Sequence, residues 1–236
     1  MTDIKLQKAL AHAGCGSRRQ IEGWIQEGRV LVNGQCATIG MRVDDTAQIC
    51  LDGHVVNCFD EQKGLVLLYN KPLGQICTRS DTQGRETVFE YLPAPPKGQR
   101  WIMVGRLDIN SQGLLLFTTN GDVAHRLMHP STKLKRVYNI RIGDELSAKQ
   151  IRLLMTGIDL EDGTSHFDSI RHLKTLKSNS WYQVVISSGK NRIIRRLIAS
   201  QGSSVSKLVR IKYGQYSLPR SLQVGAHKLV PNLLER

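Results

Sequence analysis

The sequence mixes helix and strand signals in a way that agrees with an α+β chain, and three patterns carry that agreement. Two segments near the start repeat apolar residues at helical spacing. Lys135 to Ile142 alternates like a half-buried strand, with Tyr138, Ile140 and Ile142 on one side and Val137, Asn139 and Arg141 on the other. The rest of the later part holds further apolar runs bounded by turn residues and broken by short helix signals.

Taken in order, Lys5 to Ala13 reads as a helix with Leu6, Ala9, Leu10 and Ala13 on one face, ended by Gly14 and Gly16. Ser17 and Gln20 have capping-box spacing and start a second helix that buries Ile21, Trp24 and Ile25 and stops at Gly28. Arg29 to Val32 reads as a strand, Asn33-Gly34 as a tight hairpin turn, and short strands follow around Val43 and Ile49 to Leu51. Lys5, Lys8, Arg18, Arg19 and Arg29 make one basic face on this unit. A plain solvated helix pair is the other reading, because 6 Lys/Arg stand against 7 Asp/Glu in residues 1–60. Asn57 to Lys63 reads as a linker, so the chain divides into residues 1–60 and 61–236.

Leu65 to Tyr69 is a buried strand that runs into the loop Asn70-Lys71-Pro72-Leu73-Gly74. Val88 to Leu92 reads as a short helix and Pro93 to Gly98 as a stiff surface connection. Apolar segments at Trp101 to Val104 and Leu114 to Phe117 flank a polar loop holding Arg106 and Asp108. A charged pair between buried strands suits a site on a rigid scaffold. On these residues alone, a solvated turn with a local ion pair is an equal reading. Asp122 to Met128 reads as a helix. Ser147 with Gln150 starts another, which buries Ile151, Leu154 and Met155 and ends at Gly157. Phe167 to Leu173, Trp181 to Ile186 and Lys207 to Tyr213 read as strands. A helix opening at Ser188 puts Arg192, Arg195 and Arg196 on one side and Ile194, Leu197 and Ile198 on the other. Its cationic side faces a cleft, RNA or plain solvent.

The 236 residues carry a formal charge of +13, unevenly placed: residues 61–236 hold 27 Lys/Arg against 13 Asp/Glu, and Ser169 to Leu234 holds 12 and no acid. A polyanion is the expected partner, and nucleic acid is the commonest one. No run is long enough to span a bilayer, no basic amphipathic helix points to a membrane surface, and no secretory core follows Met1. Five cysteines without a C-x-x-C pair read as reduced thiols in a cytosolic protein. A zinc set of His12, Cys15, His54 and Cys58 lacks the spacing of a finger or ribbon. Gly189-Lys190 is no phosphate loop. The calcium-like start at Asp108 has Thr119 where its closing Glu belongs.

The pattern Lys5 to Leu10, Gly16-Ser17-Arg18-Arg19, Gly28-Arg29-Val30 and Val32-Asn33-Gly34 resembles the small RNA-binding domain named after ribosomal small-subunit protein four. Three later motifs, in order, resemble the pseudouridine synthases that modify ribosomal RNA. They are Gly105-Arg106-Leu107-Asp108 with Gly113-Leu114-Leu115, then Lys135-Arg136-Val137-Tyr138, then Gly189-Lys190-Asn191-Arg192 with Arg195-Arg196-Leu197. Gly113 to Thr119 and Arg126 to Pro130 resemble the large-subunit branch, while the small-subunit branch shares the same domain order. Ile193-Ile194 departs from the family in standing where an acid commonly precedes the Arg pair. The chain also ends at Arg236 without the basic tail of some relatives.

The resemblance implies a mixed, largely antiparallel central sheet with the active cleft across it, behind a small N-terminal RNA-binding domain. It implies isomerisation of uridine on a flipped-out base, without metal or cofactor. Asp108 is then the essential carboxylate, acting on the ribose as nucleophile or as base. Tyr138 stacks on the target base. Arg195 is the cation beside Asp108 that favours its charged form. Arg106 fills the gap left by the flipped base. Lys5, Lys8, Arg18, Arg19, Lys71, Lys190, Arg192 and Arg196 are the expected RNA contacts. The implied partner is ribosomal RNA, large-subunit RNA first, or a ribosomal precursor particle, met by a cytoplasmic monomer. A non-catalytic RNA-binding or assembly factor on the same fold is the alternative from a different class, and it gives Asp108 no role.

Overall fold

The computed structural model describes residues 3–59 and 64–234. The boundary expected at residue 60 lies outside the described residues. Two compact units form. The first takes the chain up to Leu65 with Ala94–Ile102 and Thr118–Asp122, and the second takes the remainder.

In the first unit β1 (Ile4–Lys5) leads into α1 (Leu6–His12) and α2 (Arg18–Gln26). The Ser17 hydroxyl accepts from the Gln20 N–H while the Gln20 side chain accepts from the Ser17 N–H, which satisfies two orphan donors of α2. The small antiparallel sheet runs in the order β3 (Gln35–Cys36), β2 (Val30–Val32), β5 (Ile49–Leu51), β6 (His54–Val55). β4 (Arg42–Val43) pairs instead with β1. Asn33 and Gly34 both have positive φ (52° and 81°), as a two-residue hairpin turn between β2 and β3 requires. Leu6, Leu10, Ile21, Ile25, Val30 and Ile49 form the core. Trp24, expected inside, is half-buried with the Arg29 guanidinium 5.2 Å from its ring.

The second unit is built on one nine-stranded sheet. Its path is β11 (Ser169–Leu176), β12 (Asn179–Ile186), β10 (Arg136–Ile142), β13 (Val205–Tyr213), β9 (Gln112–Thr118), β7 (Val66–Lys71), β15 (His227–Val230). β14 (Tyr216–Ser217) joins β13, and β8 (Ile102–Val104) joins β9. β10 is antiparallel to both β12 and β13, whereas β9 runs parallel to β13. The sheet is therefore mixed and largely antiparallel, as expected. Val88–Tyr91 is a 3-10 turn, and α3 (Gly121–Met128), α4 (Ala148–Thr156) and α5 (Ile193–Ala199) are short helices. α4 packs on β11 and α5 on β13.

The alternation read along β10 holds: Tyr138, Ile140 and Ile142 are buried, and Val137, Asn139 and Arg141 are not. α5 buries Ile194, Leu197 and Ile198. α4 differs from expectation. Only Leu154 is buried, Ile151 is half-buried, and Met155 is 44% exposed. A nine-residue helix touching a sheet along one line buries one narrow stripe, and Met155 lies about 100° round from Leu154. Among the described residues no helix is long and apolar enough to cross a membrane.

Two glycines give predictions of opposite sign. Gly113 has φ +96° and sits against β13, where an added Cβ would meet the Arg210 carbonyl oxygen at 2.3 Å. Gly113→Ala should destabilise the chain by about 2–3 kcal/mol. Gly23 lies inside α2 with open space beside it. Gly23→Ala should stabilise by about 0.5–1 kcal/mol, and urea unfolding of both variants reads the two signs. The cysteines give another prediction. Burial pushes the Cys58 thiol up to about 12, while Cys36 is exposed. An alkylating reagent at mildly alkaline pH should label Cys36 in the native chain and Cys58 only after unfolding, as read by mass spectrometry.

Candidate active site

Asp108 stands on the loop that joins β8 to β9. Gly105, with φ +71°, lets the chain turn out of β8, and the Ser111 N–H closes the turn on the Asp108 carbonyl at 3.0 Å. Four outside groups hold this loop. The Leu107 N–H donates to Cys77 Sγ at 3.3 Å, and the Gly74 N–H donates to the Ile109 carbonyl at 3.1 Å. Lys71 Nζ donates to the Ser111 carbonyl at 3.0 Å and to the Pro72 carbonyl at 2.9 Å. Arg195 Nη2 donates to the Asn110 carbonyl at 2.8 Å, while its Nη1 donates to the Val205 carbonyl at 2.7 Å. A loop held at four points, three from the stretch 71–77 and one from α5, keeps its carboxylate in place without strong bonds to the carboxylate itself.

The carboxylate has two cations beside it. Its Oδ2 lies 3.6 Å from Arg192 Nη1 and 3.8 Å from Arg195 Nε. Both separations exceed a good hydrogen bond, so the guanidiniums offset the negative charge without saturating the oxygens. Arg192 is the residue before α5 and adopts a left-handed backbone, φ 46°, uncommon outside glycine and typical of functional positions. Burial, with Arg192 adding to it, lowers the Arg195 guanidinium against the opposing pull of Asp108.

Asp108 opens into a cleft of about 1310 Å³ within the second unit. Tyr138 lies on its floor, 8% exposed, paired across the sheet with Val184 and Arg210. Two residues before it on β10, Arg136 stacks 4.8 Å from the Tyr213 ring centroid and donates to Tyr213 Oη at 3.1 Å and to the Ser187 carbonyl at 2.9 Å. The Tyr213 hydroxyl donates to the Leu127 carbonyl at 2.9 Å. Arg210, 2% exposed, lies 5.0 Å from the same ring and donates to the Leu114 carbonyl. His129 and Lys133 line one wall, and His166 and Asp168 another.

A sequence family described as RNA pseudouridylate synthase matches residues 65–200, which include Asp108, Tyr138 and Arg195. The chain belongs to the RNA pseudouridylate synthase family. An S4 domain matches residues 4–49. The ribosomal large subunit pseudouridine synthase B of Pasteurella multocida (strain Pm70) is 49% identical over 225 residues, covering 94% of this chain and 65% of that relative. The protein of the same name from Salmonella typhi is 48% identical, covering 94% of this chain and 77% of the relative. The chain thus spans less than two thirds of the Pasteurella protein's length. A structure described as the crystal structure of pseudouridylate synthase shares the fold, with a TM-score of 0.65 over 96% of both chains at 24% identity.

Within this member of the family the expected site residues sort into distinct places. Asp108, Tyr138, Arg195, Arg192 and an exposed Arg106 all line the cleft. Arg192, expected at RNA only, is also an ion-pair partner of Asp108. Lys71 is a correction. It is fully buried beneath the Asp108 loop, so it is no surface contact for RNA. Burial pulls its ammonium below the usual range, against the opposing influence of Cys77 and Asp108.

Lys190 and Arg196 each have partners within the protein, and Lys190 also lines the cleft. Arg196 grips Asp162 through two hydrogen bonds of 2.9 and 2.8 Å. Lys190 Nζ donates to the Asp162 and Gly163 carbonyls and to Ser165 Oγ. Together they tie α5 and the segment before it to the loop 162–165. On the first unit Lys5, Arg18 and Arg19 are exposed, Lys8 pairs with Asp122 at 2.8 Å, and Arg29 pairs with Asp52 and Glu27. Among the described residues no three His, Cys, Asp or Glu side chains gather as a metal site, so the His12, Cys15, His54 and Cys58 set is not assembled.

The residues that sequence reasoning missed are the supports: Lys71 in its buried role, Cys77, Arg136, Arg210 and Tyr213. The one signal for Lys71 was its place between a buried strand and the Pro72 and Gly74 breakers. Lys71→Met should leave two carbonyls without their donor and lower stability by about 1–3 kcal/mol. RNA affinity should stay within about twofold of wild type, since no surface charge is lost. Urea unfolding and an RNA titration separate this from the phosphate-contact role.

Proposed function

We propose that this chain isomerises uridine to pseudouridine in large-subunit ribosomal RNA. The observation that carries the proposal is the Asp108 carboxylate, presented to a basic cleft by a loop held at four points. A module that only binds RNA gains nothing from a carboxylate facing a polyanion. The printed names of the curated relatives support large-subunit RNA as the substrate.

The reaction breaks the bond from uracil N1 to ribose C1′, turns the base, and forms a bond from C5 to C1′. N1 gains a hydrogen and C5 loses one, so the change is an isomerisation. Asp108 acts at the ribose, where a positioned carboxylate meets the carbon whose bonds change. Arg192 and Arg195 offset its charge so that it tolerates the phosphates alongside. Tyr138 supports the flipped base from the sheet, and Arg106 fills the space that base leaves in the RNA. Flipping costs a few kcal/mol, offset by phosphate contacts along the basic cleft and by the first unit through Lys5, Arg18 and Arg19. The protein works as a cytoplasmic monomer on ribosomal RNA or a precursor particle.

The test is pseudouridine mapping on unmodified large- and small-subunit RNA and on a precursor particle. Wild type should create one new site in large-subunit RNA. Asp108→Asn should create none while binding the RNA within about threefold as tightly. A new site in small-subunit RNA alone would move the target. No new site on any of these substrates would overturn the proposal.

A further inference from the structure

The catalytic sheet has a second face. Side chains alternate along a strand, so Tyr138 and Arg136 pointing into the cleft send Val137, Asn139 and Arg141 to the opposite side. Register carries this face across four neighbouring strands. One row reads Lys174 on β11, Trp181 on β12, Arg141 on β10 and Lys207 on β13. The next reads Arg171, Gln183, Asn139 and Val209, and the third ends at Lys212. None of these residues is buried, and none lines the cleft. With strands about 4.8 Å apart, each row spans about 14 Å.

The chemistry of the face is uniform. The four strands hold no Asp or Glu, while Arg141, Arg171, Lys174, Lys207 and Lys212 all stand on this side. In the first row Lys207 Nζ is 6.0 Å from the Trp181 ring, and Arg141 Nε donates to Ser206 Oγ at 2.9 Å. In the second, Arg171 Nη2 donates to Gln183 Oε1 at 3.2 Å and Gln183 Nε2 donates to Asn139 Oδ1 at 3.4 Å. An aromatic ring set among cations, beside a row of amides, matches what single-stranded RNA needs: phosphate neutralisation, a stacking surface and hydrogen-bonding groups at base edges. A protein or lipid partner would call for a broader apolar patch than one half-buried Trp with three half-buried valines, Val137, Val185 and Val209.

We infer that this reverse face is a second RNA-binding surface, which holds a single-stranded segment flanking the one in the cleft. It rests on the reading of the chain as an enzyme acting on RNA. The path between the faces is short. Asp168 lines the cleft, and the next residue, Ser169, begins β11, the terminal strand of the sheet. A strand leaving the cleft past Asp168 turns round that edge and meets Arg171 and Lys174. Trp181 stacks one base, while Lys174, Lys207 and Arg141 meet the phosphates on either side of it.

The test uses the full chain and a labelled, unstructured RNA without uridine, titrated over a range of salt. Lys174→Ala with Lys207→Ala should weaken binding about tenfold and reduce the salt slope by about 1.4. Trp181→Ala should weaken it at least about fivefold, and Trp181→Phe should restore most of the loss. Wild-type affinity and slope in both the lysine double variant and Trp181→Ala would overturn the inference. Wild-type pseudouridine formation, measured beside these titrations, keeps the two questions apart. If the wild type modifies ribosomal RNA and the variants bind unchanged, the second surface fails and the enzyme stands. If the wild type modifies nothing, the enzyme reading fails.

Discussion

A buried ammonium beneath a carboxylate loop is the constraint on which the second unit depends. Lys71 gives up its hydration, a loss on the order of several kcal/mol, which the Ser111 and Pro72 carbonyls offset in part. Those bonds fix the end of the Asp108 loop that leads into β9. Arg195 fixes its middle from the other side through the Asn110 carbonyl. One cation enters from strand β7 and the other from helix α5, so the loop keeps its shape only when the sheet and that helix are both in place. The left-handed Arg192 and the Asp162 clamp on Lys190 and Arg196 serve the same end, holding α5 and the segment before it so that two guanidiniums face Asp108.

The parallel contact between β9 and β13 sets the distance between these parts. Gly113 lets β9 approach the Arg210 backbone more closely than any side chain permits, and Arg210 then reaches the Leu114 carbonyl. Arg210, Tyr213 and Arg136 extend that contact along the cleft floor as stacked cationic and aromatic groups. The same strands divide their charges between two faces. One is occupied by the carboxylate and its supports, and the other is left open and basic. A sheet drawn close at one seam thereby carries a carboxylate cleft on one side and a basic surface on the other.

Local signals were legible in the sequence. The Ser17–Gln20 and Ser147–Gln150 capping boxes act over three residues and form as read. The alternation in β10 and the Asn33-Gly34 turn are equally local. The Asp108 loop was visible because apolar strands bound it. Long-range pairings were not legible. Lys71 meets Ser111 across 40 residues, and Arg196 meets Asp162 across 34. A count of charges marks such residues as cations for RNA, since nothing nearby shows that they are already satisfied. The segments 94–102 and 118–122 join the first unit for the same reason, through contacts with no local pattern. Asp108, Tyr138 and Arg195 were named from motifs, and the structure brings all three to one cleft.

The central claim is that Arg195 holds the Asp108 loop for chemistry rather than holding RNA. Single-turnover pseudouridine formation by Arg195→Gln, measured together with its affinity for the same ribosomal RNA, tests it most directly. A rate lower by about a hundredfold or more, with affinity changed by less than about threefold, is the result this account predicts. An unchanged rate, or a loss of affinity as large as the loss of rate, would contradict it.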